Sequence, residues 1–400
     1  MLLAITFSLV RWGDMLFYDP FSDKWYEQIE EQIDFRLPEK ISLGDKFIVS
    51  YPFVDLHTHV RLNNGEDYNS LTKAAIVGGF GAMNIQPNTN PPLDEWNVLN
   101  DHTSLSKDEL VKYLYTVNFF GGISDISAGP LDIQITGFST DGIRYNSQEL
   151  VESYRNKKAA LLFDHSQLHE IAGDFYTGTN LPNATRPYSN EAIAINRTVL
   201  LGLEFGFNKF HIQHVSTSKS LDEIEHLRRF ANVTCEVTPH HIFFIPEMID
   251  NPNQKINPPI SKDRDLLIDA VKKGFIDTFS TDHAPHPEKP NDFERAPYGS
   301  SHIEVAFSVY YTVFNDLQLV IRKLTVDPLR VIGRCYEDLG MRFPNDLIIL
   351  NTEDQYIVDS NKLYSMGKNC AFNGYKLKGK VFGVRINGKW VYWNGTFIDN

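Results

Sequence analysis

The 400-residue sequence predicts an α/β fold: a (β/α)8 barrel of the TIM type with a small β-sandwich subdomain formed by both chain ends. Three observations predict it. Eight short β-rich runs alternate with longer amphipathic segments through the middle of the chain, which implies parallel strands with crossover helices. Beyond Leu339 the pattern turns to alternating runs separated by Asn, Gly and Asp, as antiparallel strands require. Histidines and aspartates gather where the eight runs end.

In chain order, the first segment, MLLAITFSLV, is apolar but too short to span a membrane, and it lacks the basic flank of a signal peptide. An edge strand of the small subdomain is expected there. The barrel runs are VDLHTH (54–59), AMNIQP (82–87), LYTVNFFGGI (114–123), DIQITGF (132–138), LLFDHS (161–166), FHIQHVS (210–216), TCEVTPHH (234–241) and DTFSTDH (277–283). Helical patterns between them are SLTKAAIVGG, NSQELVESYRNKK, NEAIAINRTVLLGLEFG and SKSLDEIEHLRRFA. The link over 88–113 is rich in Pro and Asn and shows no clear element. NDLIILN, KLKGKVFGVRIN and KWVYWNGTFI close the chain as strands. The expected division is a barrel over 51–338 and a β-subdomain from 1–50 plus 339–400, which keeps the termini close.

The net charge of −13 argues against a general nucleic-acid binder, and no run suits a membrane. Cys235, Cys335 and Cys370 lie far apart without a CxxC pattern, so a reducing, cytoplasmic setting is expected rather than a disulfide framework.

His57 and His59 stand at i and i+2 on one strand, so both imidazoles leave the same face. His165 and His214 end the fifth and sixth runs, Asp282 ends the eighth, and Asp141 lies just past the fourth. In a (β/α)8 barrel those ends open on one rim, where active sites are built. Four imidazoles and two carboxylates suit a mononuclear or binuclear metal site; without a thiolate, zinc is favoured. Taken singly each residue is ordinary: a strand-end histidine is usually hydrogen-bonded surface, and Asp141 before Gly142 reads as a turn. The convergence points to a site.

The motifs DLHTHVR, GGFGAMNIQPNTNPP, HVSTSKS, EVTPHH, KINPP, STDHAPH and APYG, in that order and spacing, resemble the dihydroorotases of the amidohydrolase superfamily. The resemblance covers nearly the whole chain from about Met15, and PNTNPP with DHAPH separates it from hydantoinases and allantoinases. It implies one or two zinc ions per subunit held by His57, His59, Asp141, His165, His214 and Asp282, with Asp141 where many relatives carry a carboxylated lysine. Substrate contacts implied are His59, Arg61, Asn88, Asn257 and His286, with backbone contacts at Tyr298 and Gly299. The Arg61 fork suits a carboxylate, and the Asn88 amide offers both donor and acceptor. Asn257 precedes two prolines, so its backbone is held extended. His240 and His241 are left to packing, and His283 to supporting structure. Pro285, Pro287 and Pro290 stiffen the loop that carries His286.

The reaction implied is reversible hydrolysis of (S)-dihydroorotate to N-carbamoyl-L-aspartate in pyrimidine biosynthesis, with hydroxide generated at the metal and Asp282 shuttling the proton. The implied partners are this small molecule and, for some members, aspartate transcarbamoylase or a second copy of the chain. Two alternatives are another cyclic amidase of the superfamily and a silent subunit scaffolding the transcarbamoylase. This sequence departs from the family pattern at Leu62-Asn63-Asn64-Gly65, where Glu-Pro-Gly is usual. It also has Gln86 in place of Met, and Ser166-Gln167 in place of Cys-Glu.

Overall fold

The computed structural model describes residues 16–26, 46–62, 65–171 and 173–398. The strand expected in MLLAITFSLV lies outside the described residues, as do Asn63 and Asn64. Three strands open the described chain: β1 (Leu16–Asp19), β2 (Lys24–Tyr26) and β3 (Phe47–Ser50). The barrel strands follow as β4 (Phe53–Thr58), β5 (Phe80–Ile85), β6 (Lys112–Asn118), β7 (Ile135–Ser139), β8 (Leu162–Asp164), β9 (Lys209–Ile212), β10 (Asn232–Val237) and β11 (Thr278–Phe279). They pair in sequence order, and every pair is parallel. β4 and β5 are buried along their whole length, as expected of strands covered on both faces.

Two backbone hydrogen bonds draw the first and last strands together: Asp282 N donates to His57 O and His59 N to His283 O, each at 2.9 Å. The eighth run therefore leaves regular pairing after Phe279 and returns to β4 at the mouth. Two other runs end sooner than their apolar content suggests. β10 stops at Val237 because Pro239 starts a helical turn, and β6 stops at Asn118, whose side chain accepts from Phe120 N.

The helices are α1 (Tyr68–Gly78), α2 (Trp96–Ser106), α3 (Ser147–Asn156), α4 (Asn190–Glu204), α5 (Ser218–Leu227), α6 (Pro239–Phe243), α7 (Arg264–Lys272), α8 (Ala306–Phe314), α9 (Leu317–Leu324) and α10 (Val326–Ile332). Local chemistry starts several of them. Asp67 and Ser70 form a capping box on α1, Asn146 and Glu149 one on α3, and the Thr217 side chain caps α5. The segment 88–113, left without an element from sequence, contains α2; Val98, Leu99 and His102 bury one face of it. 

The chain ends build a second, mixed sheet. β12 (Leu347–Ile357), β13 (Lys376–Ile386), β14 (Lys389–Trp393) and β15 (Thr396–Phe397) continue it in the order β15-β14-β13-β12-β3-β1-β2. The β1–β3 pair is parallel and the others antiparallel. Phe17, Phe47, Val49, Leu347, Ile349, Phe382, Trp390 and Trp393 form its own apolar cluster. The excursion between β12 and β13, residues 358–375, leaves this sheet and reaches the loops at the barrel mouth.

Candidate active site

Every residue expected at the mouth follows or ends a barrel strand. His57 lies inside β4 and His59 one residue beyond it; Asp141, His165, His214 and Asp282 lie two, one, two and three residues past β7, β8, β9 and β11. All six are buried. His214 and Asp282 have φ of 35° and 50°, left-handed backbone that non-glycine residues seldom adopt. Such strain at two loop starts, after β9 and β11, needs strong surrounding contacts to hold it. They are present: His214 N donates to Glu236 Oε1, and Asp282 N to His57 O.

The side chains converge on Asp141. Its Oδ2 is 3.1 Å from His57 Nε2, 3.4 Å from His165 Nδ1 and 3.9 Å from His214 Nε2. Asp282 Oδ1 is 3.1 Å from His59 Nε2 and 3.5 Å from His57 Nε2. Two donor groups result, His57/His59/Asp141 and Asp141/His165/His214, in each of which the candidate atoms lie within 4.8 Å of one another. They share Asp141, as one carboxylate bridging two cations would require.

The family of motifs implies a divalent metal, and the residues fit one. His57 Nδ1 is 2.7 Å from Glu236 Oε1, so Nδ1 carries the proton and donates to the carboxylate. Nε2 is buried with no hydrogen-bond partner and is aimed between Asp141 and Asp282. A carboxylate behind an imidazole is the usual support of a metal-ligating histidine. Burial, then His165 and His57, push the His214 imidazole well below its ordinary pKa, and its Nε2 lies 2.8 Å from His165 Nδ1. Burial raises the Asp141 carboxyl, but His59, His165 and His57 outweigh it and hold the group well below the usual carboxylate range. Burial lowers the His57 and His165 imidazoles, but the carboxylates outweigh it and hold both above their ordinary pKa. A bound cation would take the place of the protons these rings carry.

Sequence reasoning missed Glu236. It also receives His211 Nε2 at 3.1 Å and the Ser280 hydroxyl, and so couples β4, β9, β10 and the segment after β11. Its signal was the carboxylate one residue before the end of the largely buried strand run VTCEV. Gln86, which replaces the expected Met, has a definite place. Gln86 Nε2 donates to Leu56 O, Ser139 Oγ donates to Gln86 Oε1, and Asp141 N donates to Ser139 Oγ. This polar ladder fixes the backbone that carries Asp141.

A cavity of about 380 Å³ opens above the cluster. His59, Arg61, Asn88, Asn257, Tyr298 and Gly299 line it, together with Asp141, His165 and Asp282. Asn88 Oδ1 lies 2.8 Å from His59 Nδ1 and its Nδ2 donates to Asp141 Oδ1 at 3.0 Å, so it joins the two halves of the cluster. Gly142 makes room for it: at φ 71°, a Cβ there would lie 2.3 Å from Asn88 Nδ2. Arg61 feels both Asp141 and Asp282, and its buried Nε has no partner. His286 stands beside the wall, with Nε2 2.9 Å from Tyr298 O. His240 Nε2 is 3.9 Å from Asp282 Oδ2 but bonds to the Thr238 hydroxyl, as does His241 Nδ1. Gln167, at a position of family departure, lines the cavity and accepts from Asn257 Nδ2 at 3.0 Å. Arg186, also missed, donates to Asn257 Oδ1 at 2.6 Å. No helix among the described residues is long and apolar enough to cross a membrane.

Comparison with known proteins gives a consistent picture. No family model matches the chain. A Thermotoga maritima protein, named provisionally as a dihydroorotase, is 51% identical over 96% of this chain and 98% of its own length. Dihydroorotases of Caldanaerobacter subterraneus subsp. tengcongensis and Brevibacillus brevis are 30% and 31% identical, over 91% and 87% of this chain and 90% and 88% of theirs. Among solved structures, a D-hydantoinase from Thermus sp. matches with a TM-score of 0.75 at 17% identity, covering 97% of this chain and 96% of that one. An L-hydantoinase from Arthrobacter aurescens matches with a TM-score of 0.76 at 19% identity, covering 97% and 98%. At such identities the solved structures speak for the fold alone.

Proposed function

The chain belongs to the dihydroorotase family of the amidohydrolase superfamily, hydrolases of cyclic amides, and from that premise we propose that it interconverts (S)-dihydroorotate and N-carbamoyl-L-aspartate. The observation that carries this reading is the pairing, in one cavity, of the Asp141-centred donor cluster with the Arg61 guanidinium. A ring carrying a carboxylate needs a fixed cation beside the reacting amide, and a carboxylate-free ring does not.

His57, His59, Asp141, His165, His214 and Asp282 hold zinc, in one or two ions, in this proposal. The metal supplies Lewis acidity, which polarises the ring carbonyl and lowers the pKa of water towards neutrality. The chain's own residues do the rest. Arg61 and Asn88 bind the substrate carboxylate and orient the ring. Asp282, ionised because His57 and His59 outweigh its burial, accepts a proton from the attacking water. A C–O bond forms at the ring carbonyl carbon, the C–N bond breaks, and Asp282 passes the proton to the departing nitrogen. In the reverse direction the same carboxylate takes it back. Asn257, His286 and the backbone at Tyr298 and Gly299 contact the ring.

Purified protein assayed with dihydroorotate and with N-carbamoyl-L-aspartate tests the proposal. Turnover in both directions is expected, lost on chelation and regained with zinc. No turnover with metal, alone or with aspartate transcarbamoylase, would replace it with the silent-subunit reading. Hydrolysis of hydantoin but not of dihydroorotate would replace it with another cyclic amidase. Zinc as the metal, a cytoplasmic location, a homodimer, and a division into a barrel over 51–338 and a subdomain over 1–50 plus 339–400 belong to the same proposal.

A further inference from the structure

The cavity wall contains a second buried guanidinium that the reaction above leaves without a task. Arg186 lines the cavity yet is only 3% exposed. Its Nε donates to Gly173 O at 2.9 Å and its Nη1 to Asn257 Oδ1 at 2.6 Å. Its backbone is fixed as well: Arg186 N donates to Phe175 O, and Thr177 N to Arg186 O. Gly173, at φ 144°, passes so close that a Cβ there would lie 2.2 Å from Arg186 N. Arg186 thus belongs rigidly to the connection after β8, while Asn257 belongs to the separate connection after β10.

An asparagine amide is nearly symmetric in shape, and its two orientations offer opposite chemistry to a ligand. A guanidinium has donors only, so the Asn257 atom facing Arg186 must be the oxygen. With Oδ1 engaged, Nδ2 turns to the cavity side, where it donates to Gln167 Oε1 and faces His165 Nε2, each at 3.0 Å. A ring carbonyl oxygen would take the place of one of these two partners. We propose that Arg186 is a positioning residue that fixes the Asn257 amide with its donor face to the cavity, so that this point of the wall selects a ring carbonyl oxygen and rejects a ring N–H. The inference rests on the proposed role of Asn257 in contacting a cyclic amide. A donor placed this way discriminates strongly, because the mismatched ligand would leave two donors facing each other.

The test compares zinc-loaded wild type with Arg186→Met, Arg186→Lys, Asn257→Ala and the Arg186→Met/Asn257→Ala double variant. Arg186→Met should raise KM for dihydroorotate about tenfold while kcat changes less than about threefold, as expected for lost binding rather than lost chemistry. Arg186→Lys keeps one donor to Oδ1 and should recover part of that loss. The double variant should lie within about twofold of Asn257→Ala, because Arg186 acts through Asn257. Unchanged KM in both Arg186 variants, or losses that multiply in the double variant, would overturn the inference. Should the wild type turn over no dihydroorotate, the proposed function fails, and crystal structures then decide the inference alone. In whichever Arg186 variant folds, the Asn257 amide should rotate or split between two orientations. A single unchanged orientation would overturn it.

Discussion

The floor of the cavity takes its groups from strand ends, whereas the rim takes its groups from loops tied down by residues far away in the chain. On the floor, His57 lies in β4, its partner Glu236 in β10, and the other donors stand one to three residues beyond a strand. Backbone pairing already places them. On the rim, the loop of Arg61 ends at Glu66, which accepts from Met366 N, the Ser365 hydroxyl and His283 Nε2. His283 Nδ1 accepts from His302 N and Ile303 N, so its proton lies on Nε2 and points at Glu66. The loop of His286, Tyr298 and Gly299 is held by Asn369. That side chain donates to Ala284 O and Gly299 O, each at 3.1 Å, and accepts from His286 N at 2.9 Å. Ser365, Met366 and Asn369 all come from the excursion between β12 and β13. The excursion from the outer sheet therefore reaches the cavity wall, while the donor cluster is the barrel's own.

If floor and rim are separate devices, substitutions should divide cleanly between them. The largest effect is expected at Asp282. Asp282→Asn removes the proton acceptor, and kcat should fall about 10³-fold while metal content by elemental analysis stays that of wild type. Near-normal turnover would remove Asp282 from the role. Next is Glu236→Gln, which touches no substrate. Losing the carboxylate behind His57 should weaken metal affinity roughly 10- to 100-fold, read by chelator competition, with KM at saturating metal little changed. On the rim, Asn369→Ala leaves two carbonyls and one amide buried without partners, at roughly 1–3 kcal/mol for each group. KM should rise about tenfold with kcat and metal affinity held. Loss of metal in Asn369→Ala would show that floor and rim are one unit.

The same division explains what was legible in the sequence. The eight strands were, because each is a short apolar run and the pattern breaks at its end. The donor residues were, because period 2 and strand ends fix them without knowledge of any distant contact. Glu236 stands inside EVTPHH beside two more conspicuous histidines; a carboxylate in a buried strand needs a partner, and His57 is it. Helix α2 was hidden by the prolines and asparagines ahead of it, and Glu95 at its start makes no side-chain cap bond. Arg186 and Asn369 had no local signature. Their roles arise from contacts across 71 and 83 residues, which no window of sequence displays.

The smallest expected effect sharpens the rim by its protonation state. Burial first, and Arg61 second, push the His286 imidazole down to about 4. Its Nε2 faces the Tyr298 carbonyl, which can only accept, so Nε2 carries the proton and Nδ1 is left as an acceptor. At neutral pH the rim therefore offers Arg61 as a cation and His286 as a neutral group. Between about 4 and the ordinary imidazole value of 6.5, the unfolded chain takes up a proton at this position and the folded chain does not. Folding stability contributed here is thus present above pH 6.5, falls as pH drops through that window, and is gone below about 4. His102, His241 and His302 are pushed down to about 4 as well, each chiefly by burial, so the wild-type slope has several sources. His286→Gln should flatten the fall in urea midpoint between pH 7 and pH 5 without abolishing it. An identical fall in the variant would mean that His286 is already charged at pH 5, and that the rim presents two cations to the substrate rather than one.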